Sequence, residues 1–505
     1  MRGFAFAPDS QSFYYVHEAV DAKRPFYRAA YHHLLGTPSS EDREIFFAGE
    51  DEKIRLSLVS DRKRLGFFVY QFLEKTLTDI YLKPFEGEGL PRPILRGIDY
   101  SLGLRFVNDR ILAITDREAP NRRIVEIRLH VNGEHEWIDV IPERNYRMCR
   151  WLVVGDRLFV SYMKQQMHQV RIFDLSGKEL GEMPIRSDET LRMVDGSPES
   201  DGLLLETESF TEPIEIFRYS TRTNERTRWS KRNIPFDASN YGHSQVSYTS
   251  KDGITIPMYL VGRHEVLGGT DNPTIMTSYG GYGVSMTPQF SVFVAFLMER
   301  GCLFALPNIR GGSEFGAGWR NAAKRRNRQT AYDDFLCAAE WLIKSGRTSP
   351  GKLAIFGGSN SGLLVGAALT QRPDLFRAVV CMVPMLDMLR YHLFDNADVW
   401  KDEFGTADDV ADFAALARYS PYHQVRQGVA YPATMIVSGD ADRNCNPLHA
   451  RKMTARLQAA NVSELPIFLD YSKFRGHSPV LPLSERIEAL TDRMAFLCDQ
   501  LQLQA

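Results

Sequence analysis

Over the first 240 residues, apolar positions come in short bursts, each opened by a polar turn and most of them followed by a second burst of similar length. FAFAPDSQSFYYVHE (4–18), KRLGFFVYQF (63–72), DRILAITDRE (109–118), GDRLFVSYM (155–163) and DGLLLETESF (201–210) lead. TDIYLKPF (78–85), RRIVEIRLHV (122–131), QVRIFDLSG (169–177) and IEIFRYS (214–220) follow. Runs this short, continuous or alternating and bounded by turn residues, read as β-strands. The unit recurs about every 45 to 55 residues, the spacing of four-stranded propeller blades, and about five such units fit. A generic β-sandwich is the competing architecture.

From about Ser247 the rhythm changes. TIMTSYGGYG (274–283), VFVAFLMERGCLFALPNIRGG (292–312), DDFLCAAEWLIKSG (333–346), LAIFGGSNSGLLVGAALTQRP (353–373), PATMIVSGDADRN (432–444), PIFLDYSKFRGHS (466–478) and RIEALTDRMAFLCDQL (486–501) alternate strand-like runs with helical periodicity. That alternation predicts a mostly parallel sheet wrapped by helices, whose ligands bind beyond the carboxyl ends of the strands. The expected organisation is an all-β domain over residues 1–245 and an α/β domain over 246–505. A chain of 505 residues exceeds what a single core supports, in keeping with that division.

Composition narrows the function classes. With 44% hydrophobic and 25% charged residues and a net charge of −2, the chain carries no bulk signature of a polyanion binder or a disordered acidic protein. KRRNR (324–328) is the densest basic run, and it reads as a solvated helix or loop face, not as a nucleic-acid surface. Cys149, Cys302, Cys337, Cys381, Cys445 and Cys498 lie far apart with no C-x-x-C pair, which predicts reduced core thiols and neither a zinc site nor a disulfide framework. No phosphate loop, H-E-x-x-H or complete G-x-G-x-x-G occurs, so no cofactor or metal is expected. MRGFAFAPDSQSFYY lacks the apolar stretch of a signal peptide, and no later run approaches membrane-spanning length, so the expectation is a cytoplasmic protein.

The candidate chemistry starts at GGSNSG (357–362), a strand-to-helix turn between LAIF and LLVGAALTQ. It fits G-x-S-x-G imperfectly in either frame. Ser359 stands at the tip, as a nucleophile elbow requires, while Ser361 falls in the first helical turn, where serines bond locally. A Gly/Ser-rich turn without chemistry would look similar. A serine hydroxyl needs a base. Of His392, His423, His449 and His477, only His477 follows an apolar strand through a loop and precedes the long terminal helix. His449 reads as a helix-face residue and His423 as a loop residue. The base needs an acid to hold its tautomer, and Asp440 and Asp442 follow the strand MIVSG. Alternation and loop reach favour Asp442; Asp440 is expected to brace the turn through backbone N–H groups.

SYGGYG (278–283), NIRGGSEFGAGW (308–319), YTSKDGITIPMYL (248–260), GGSNSGLL (357–364), QRPDLFRAVV (371–380), DMLRYH (387–392), GDADRNCNP (439–447) and GHS (476–478) together resemble the prolyl oligopeptidase family of serine peptidases. The likeness implies an α/β-hydrolase domain behind a β-propeller, and a triad of Ser359, Asp442 and His477. It implies an oxyanion hole made by the Tyr279 hydroxyl and the Asn360 backbone N–H, a role that needs donors about 3 Å from the developing charge. It places Trp400 against a substrate proline ring, with Tyr282, Met385, Phe404 and Cys445 around the same apolar pocket. A propeller in front of the site would admit short peptides and screen out folded proteins.

Three departures qualify that picture. Ser361 stands where the family has glycine. Asn444 stands where the family's acid loop has an arginine that binds the carbonyl of the P2 residue, so anchoring there is expected to be weaker or different. The chain opens inside what resembles the third of seven blades, so the expectation is a propeller that closes with fewer blades, one that stays open, or one whose first blades precede Met1; a partner or self-association would cover the edges of an open one. The reading is a serine peptidase acting on short peptides after proline or a similar small residue. An esterase, acylaminoacyl-type peptidase or peptide macrocyclase with the same triad, or a non-catalytic binding protein, are the alternatives.

Overall fold

The computed structural model describes residues 3–18, 24–73, 75–86, 89–130, 134–395, 397–477 and 481–503; Val131 and Ser478, at the ends of two quoted stretches, lie outside them. Five four-stranded sheets follow one another along the chain, their first strands opening at Phe4, Ile54, Leu102, Arg147 and Thr190. In each, strands adjacent in sequence are neighbours in the sheet. Turns such as Asn108 at φ 54° between Leu102–Val107 and Arg110–Thr115 make the short reversals. Within Phe68–Ile127 the apolar sides of two successive sheets share one core, which includes Phe68, Ile80, Phe106, Ile111 and Val125.

An eight-stranded sheet occupies the rest. Its strands are β1 (Tyr241–Thr249), β2 (Thr255–Arg263), β3 (Thr274–Met276), β4 (Leu303–Pro307), β5 (Leu353–Gly358), β6 (Ala378–Met382), β7 (Ala433–Gly439) and β8 (Ile467–Ser472). Their order is β1-β2-β4-β3-β5-β6-β7-β8; β1, β2 and β4 pair antiparallel and every later pair is parallel. The sheet begins at Tyr241, a few residues before the 245/246 boundary expected from the change of rhythm. The parallel strands read as apolar runs because helices cover both faces. One face buries Ile355, Val379 and Ile436 and the other Ala354, Val380 and Val437. The helices that matter below are α1 (Val292–Glu299), α2 (Gln329–Lys344), α3 (Asn360–Gln371), α4 (Leu448–Ala460) and α5 (Leu483–Leu501).

By internal packing the chain divides into two compact units, residues 1–160 with 172–181, and residues 161–171 with 182–505. The second contains the fifth four-stranded sheet and all of the eight-stranded sheet. Among the described residues no helix is long and apolar enough to cross a membrane.

Candidate active site

Strand β5 ends at Gly358, helix α3 begins at Asn360, and Ser359 turns the corner with φ 59° and ψ −122°. A non-glycine residue in that region costs on the order of 1–3 kcal/mol, which surrounding contacts must offset. Here the Ser359 N–H donates to the Met382 carbonyl at 3.0 Å, and the Ser359 carbonyl accepts from Leu363 N at 3.1 Å. Small residues follow from crowding. A Cβ on Gly362 would stand 2.7 Å from the Met382 carbonyl oxygen, and one on Gly357 would collide with Ser361. Ser361 itself does not bond locally, as its position at the helix start suggested. Its hydroxyl donates to the carbonyl of Ser278, tying α3 to the loop after β3 that carries Tyr279.

Around the tip the chain brings together residues more than a hundred positions apart. His477 Nε2 lies 3.0 Å from Ser359 Oγ, and His477 Nδ1 lies 3.0 Å from Asp442 Oδ2. Asp442 has no side-chain exposure, and its second oxygen accepts from the backbone N–H groups of Asn444 at 3.0 Å and Cys445 at 2.8 Å. A carboxylate held in that way leaves one oxygen aimed at the imidazole. With Nδ1–H donated to it, Nε2 is free to accept the serine proton. Asp440 differs from expectation: instead of backbone groups it accepts from Arg451 at 2.6 Å and from the Tyr471 hydroxyl. The other histidines are engaged elsewhere. His449, on α4, is buried, takes the Asp387 N–H at 3.1 Å, and is pushed by burial to a pKa of about 4. His423 sits in a single helical turn, Pro421–Gln424, not a loop, and contacts the Ser420 hydroxyl.

Tyr279 is half-buried; burial raises its phenol pKa, and hydrogen bonding with the Ser359 side chain partly offsets that. The Asn360 N–H belongs to the first turn of α3, where backbone donors lack intrahelical partners. The Asn360 side chain is clamped. Its amide donates to the Tyr279 carbonyl at 2.6 Å, and its oxygen accepts from Arg328. Arg328 is wholly buried and also donates to Glu403 at 3.0 Å, whose same oxygen accepts the Tyr282 N–H at 2.9 Å. This network corrects the reading of KRRNR as a solvated face at Arg328 alone; Arg325, Arg326 and Asn327 are exposed, as expected. Lys324 pairs with Asp402 at 2.6 Å, Arg325 and Arg326 both pair with the buried Asp412, and Arg328 is interior. No local signal separates Arg328 from its neighbours in the run, since its partners lie 32 and 75 residues away.

Met385, Phe404 and Cys445 are buried in one apolar cluster, against which Tyr282 and Trp400 pack while partly exposed. Tyr282 meets Phe404 edge-on at 5.8 Å. Burial raises the Cys445 thiol pKa well above its ordinary value. Asn444 is exposed and touches the site through its backbone N–H. Among the described residues no group of three or more His, Cys, Asp or Glu side chains is placed to hold a metal ion.

Residues 1–232 match the family model described as the prolyl oligopeptidase N-terminal β-propeller domain, and residues 288–504 match that of the prolyl oligopeptidase family. The chain is 34% identical over 470 residues to a prolyl endopeptidase of Elizabethkingia miricola, covering 92% of this chain and 66% of that protein. It is 27% identical over 491 residues to a dual function macrocyclase-peptidase of Galerina marginata, covering 94% and 67%. A solved prolyl endopeptidase structure superposes with a TM-score of 0.88 at 33% identity, covering 99% of this chain and 74% of that one. The chain thus spans about two thirds of the length of these curated relatives. With its α/β-hydrolase sheet and N-terminal propeller sheets, this chain belongs to the prolyl oligopeptidase family.

Proposed function

We propose that the chain is a serine peptidase that hydrolyses short peptides after proline or a similarly compact residue. The observation that carries the reading is the run of contacts from Asp442 through His477 to Ser359, 3.0 Å at each step, on a serine held at φ 59°. As Ser359 Oγ bonds to the scissile carbonyl carbon, its proton passes to His477 Nε2, and Asp442 stabilises the imidazolium. The carbonyl oxygen takes the negative charge against the Tyr279 hydroxyl and the Asn360 N–H. His477 then gives its proton to the departing amine as the C–N bond breaks, and water repeats the sequence to release the acyl group. The apolar set of Trp400, Tyr282, Met385, Phe404 and Cys445 supports a compact apolar P1 residue. Asn444 supplies no charged fork for the P2 carbonyl. The free thiols of Cys302, Cys337, Cys381, Cys445 and Cys498 favour the cytoplasm as compartment.

The test is fluorophosphonate labelling with mapping of the modified residue, together with turnover of a succinyl-Gly-Pro chromogenic peptide. Label on Ser359 with proline turnover is expected. Label without proline turnover would overturn the P1 assignment alone, and absence of label from folded protein would favour a non-catalytic binding role. A second reading, transfer of the acyl group to an amine, is favoured by the 27% identity to a protein described as both macrocyclase and peptidase. Where the amine is the peptide's own N-terminus, an acyl product lighter than the hydrolysis product by one water would establish it.

A further inference from the structure

A cavity of about 630 Å³ opens beside Ser359 and His477. None of Trp400, Tyr282, Met385, Phe404, Cys445 and Tyr279 lines it, so it lies apart from the candidate P1 pocket and the oxyanion side. Among the described residues its charge is lopsided: Arg232, Arg475, Arg486 and Arg493 line it, against the one carboxylate of Glu208. Glu208 is already committed, with Arg192 at 3.1 Å and the Phe290 N–H at 3.1 Å. Arg475 is likewise taken, by Asp470 at 2.9 Å.

Arg493 is different. It is only partly exposed, on α5, and burial lowers its pKa. Its Nε donates to the Ala489 carbonyl at 2.6 Å, and Nη1 faces the Met382 sulfur, a weak acceptor, at 3.0 Å. No carboxylate among the described residues lies within ion-pair distance of it, or of the exposed Arg232 and Arg486 at the rim. Asp470 and Asp492 act on it only from beyond ion-pair distance, and a half-buried guanidinium with no carboxylate in contact is an unfavourable arrangement that a bound carboxylate would relieve with paired, charge-assisted hydrogen bonds.

The reaction indicates which part of a substrate reaches this cavity. The acyl oxygen must face Tyr279 and Asn360, while the departing amine must lie against His477, which gives it a proton. The wall of the cavity carries His477, Gly476 and Arg475. We propose that the cavity receives the leaving fragment and selects a carboxylate on it through Arg493, with Arg486 and Arg232 at its mouth. This rests on the assignment of Ser359 as nucleophile. The carboxylate comes either from the C-terminus of a short peptide or from an acidic side chain on the leaving fragment. A volume of about 630 Å³ holds a fragment of a few residues, within the range of ordinary ligand pockets.

Four peptides sharing one acyl half test this: leaving halves Ala-Ala as free acid, Ala-Ala amide, Ala-Asp amide and Ala-Asn amide. The free acid is expected to exceed its amide in kcat/KM by about tenfold or more, mostly through KM. A gain of Asp over Asn between the two amides identifies the side chain as a source; a gain confined to the free acid identifies the C-terminus. In Arg493→Met the acid-to-amide ratio should fall towards one, and in Arg493→Lys it should stay above one. Arg486→Gln, on an exposed position, should lower the ratio partially even if Arg493 variants fold poorly. Ser359 labelled with equal rates for all four peptides would overturn this inference and leave the peptidase reading intact. No label and no turnover would overturn both.

Discussion

Each side of Ser359 carries an arginine, and the two arginines are in opposite states. Towards Asn360, Arg328 is wholly buried and paired with Glu403 and with the Asn360 amide oxygen. Towards His477, Arg493 lies in a cavity wall with a carbonyl and a sulfur for company. A buried pair adds little net stability over apolar packing, but breaking it is costly, so its use is to hold geometry. Here that geometry is the position of Asn360, whose side chain is held by Arg328 and the Tyr279 carbonyl and whose N–H is the proposed oxyanion donor. An unpaired guanidinium holds nothing in place and keeps its capacity to bind.

The shared pivot comes first. Ser359→Ala should abolish fluorophosphonate labelling and lower kcat by a factor of about 10⁴ to 10⁶ for every peptide; full turnover in that variant would detach both arginines from any active site. Next is the paired side. Arg328→Met strands Glu403 in the interior and should destabilise the fold by about 3–5 kcal/mol in urea unfolding. Adding Glu403→Leu should restore most of that stability while kcat stays low. Recovery of kcat along with stability would show that the pair does not position Asn360.

Glu314 sharpens the contrast from the anionic side. It is fully buried with a backbone N–H and an amide as partners but no cation in ion-pair contact among the described residues, and burial raises its pKa to about 7. A folded pKa above the unfolded one of 4.5 contributes stability that is complete below the unfolded value and lost as pH rises through about 7. The loss amounts to about 3 kcal/mol at 1.36 kcal/mol per unit. Glu314→Gln should therefore flatten the fall in Tm between pH 5 and pH 8; an unchanged slope would mean that the carboxyl ionises without penalty. Smallest is Asn444→Arg, which restores a charged fork at an exposed position and should lower KM for Gly-Pro substrates by about three- to tenfold without moving kcat.

How much of this could be read from the chain depends on the range of the interaction. The five four-stranded sheets and the strand-helix alternation after Ser247 were legible because hydrophobic periods of two and 3.6 are written in neighbouring residues. Ser359 was legible for the same reason: small residues at 357, 358 and 362 declare a crowded turn within six positions. His477 and Asp442 were legible by their places after strands. The errors share a cause. KRRNR is solvated at 325–327, but Arg328 was misread with them because the carboxylates that pair with the run, Asp402, Glu403 and Asp412, are more than seventy residues downstream. Ser361 was expected to bond within its helix and instead reaches Ser278.

The sequence by itself determined the elements, their order and the turn that strains Ser359, because backbone sterics and amphipathic periodicity act between near neighbours. The tertiary structure alone decided which charges are neutralised and which are left open. An ion pair needs a partner within about 4 Å, and only the crossovers of the parallel sheet bring residues 328 and 403 together while leaving Arg493 with no carboxylate at that distance among the described residues.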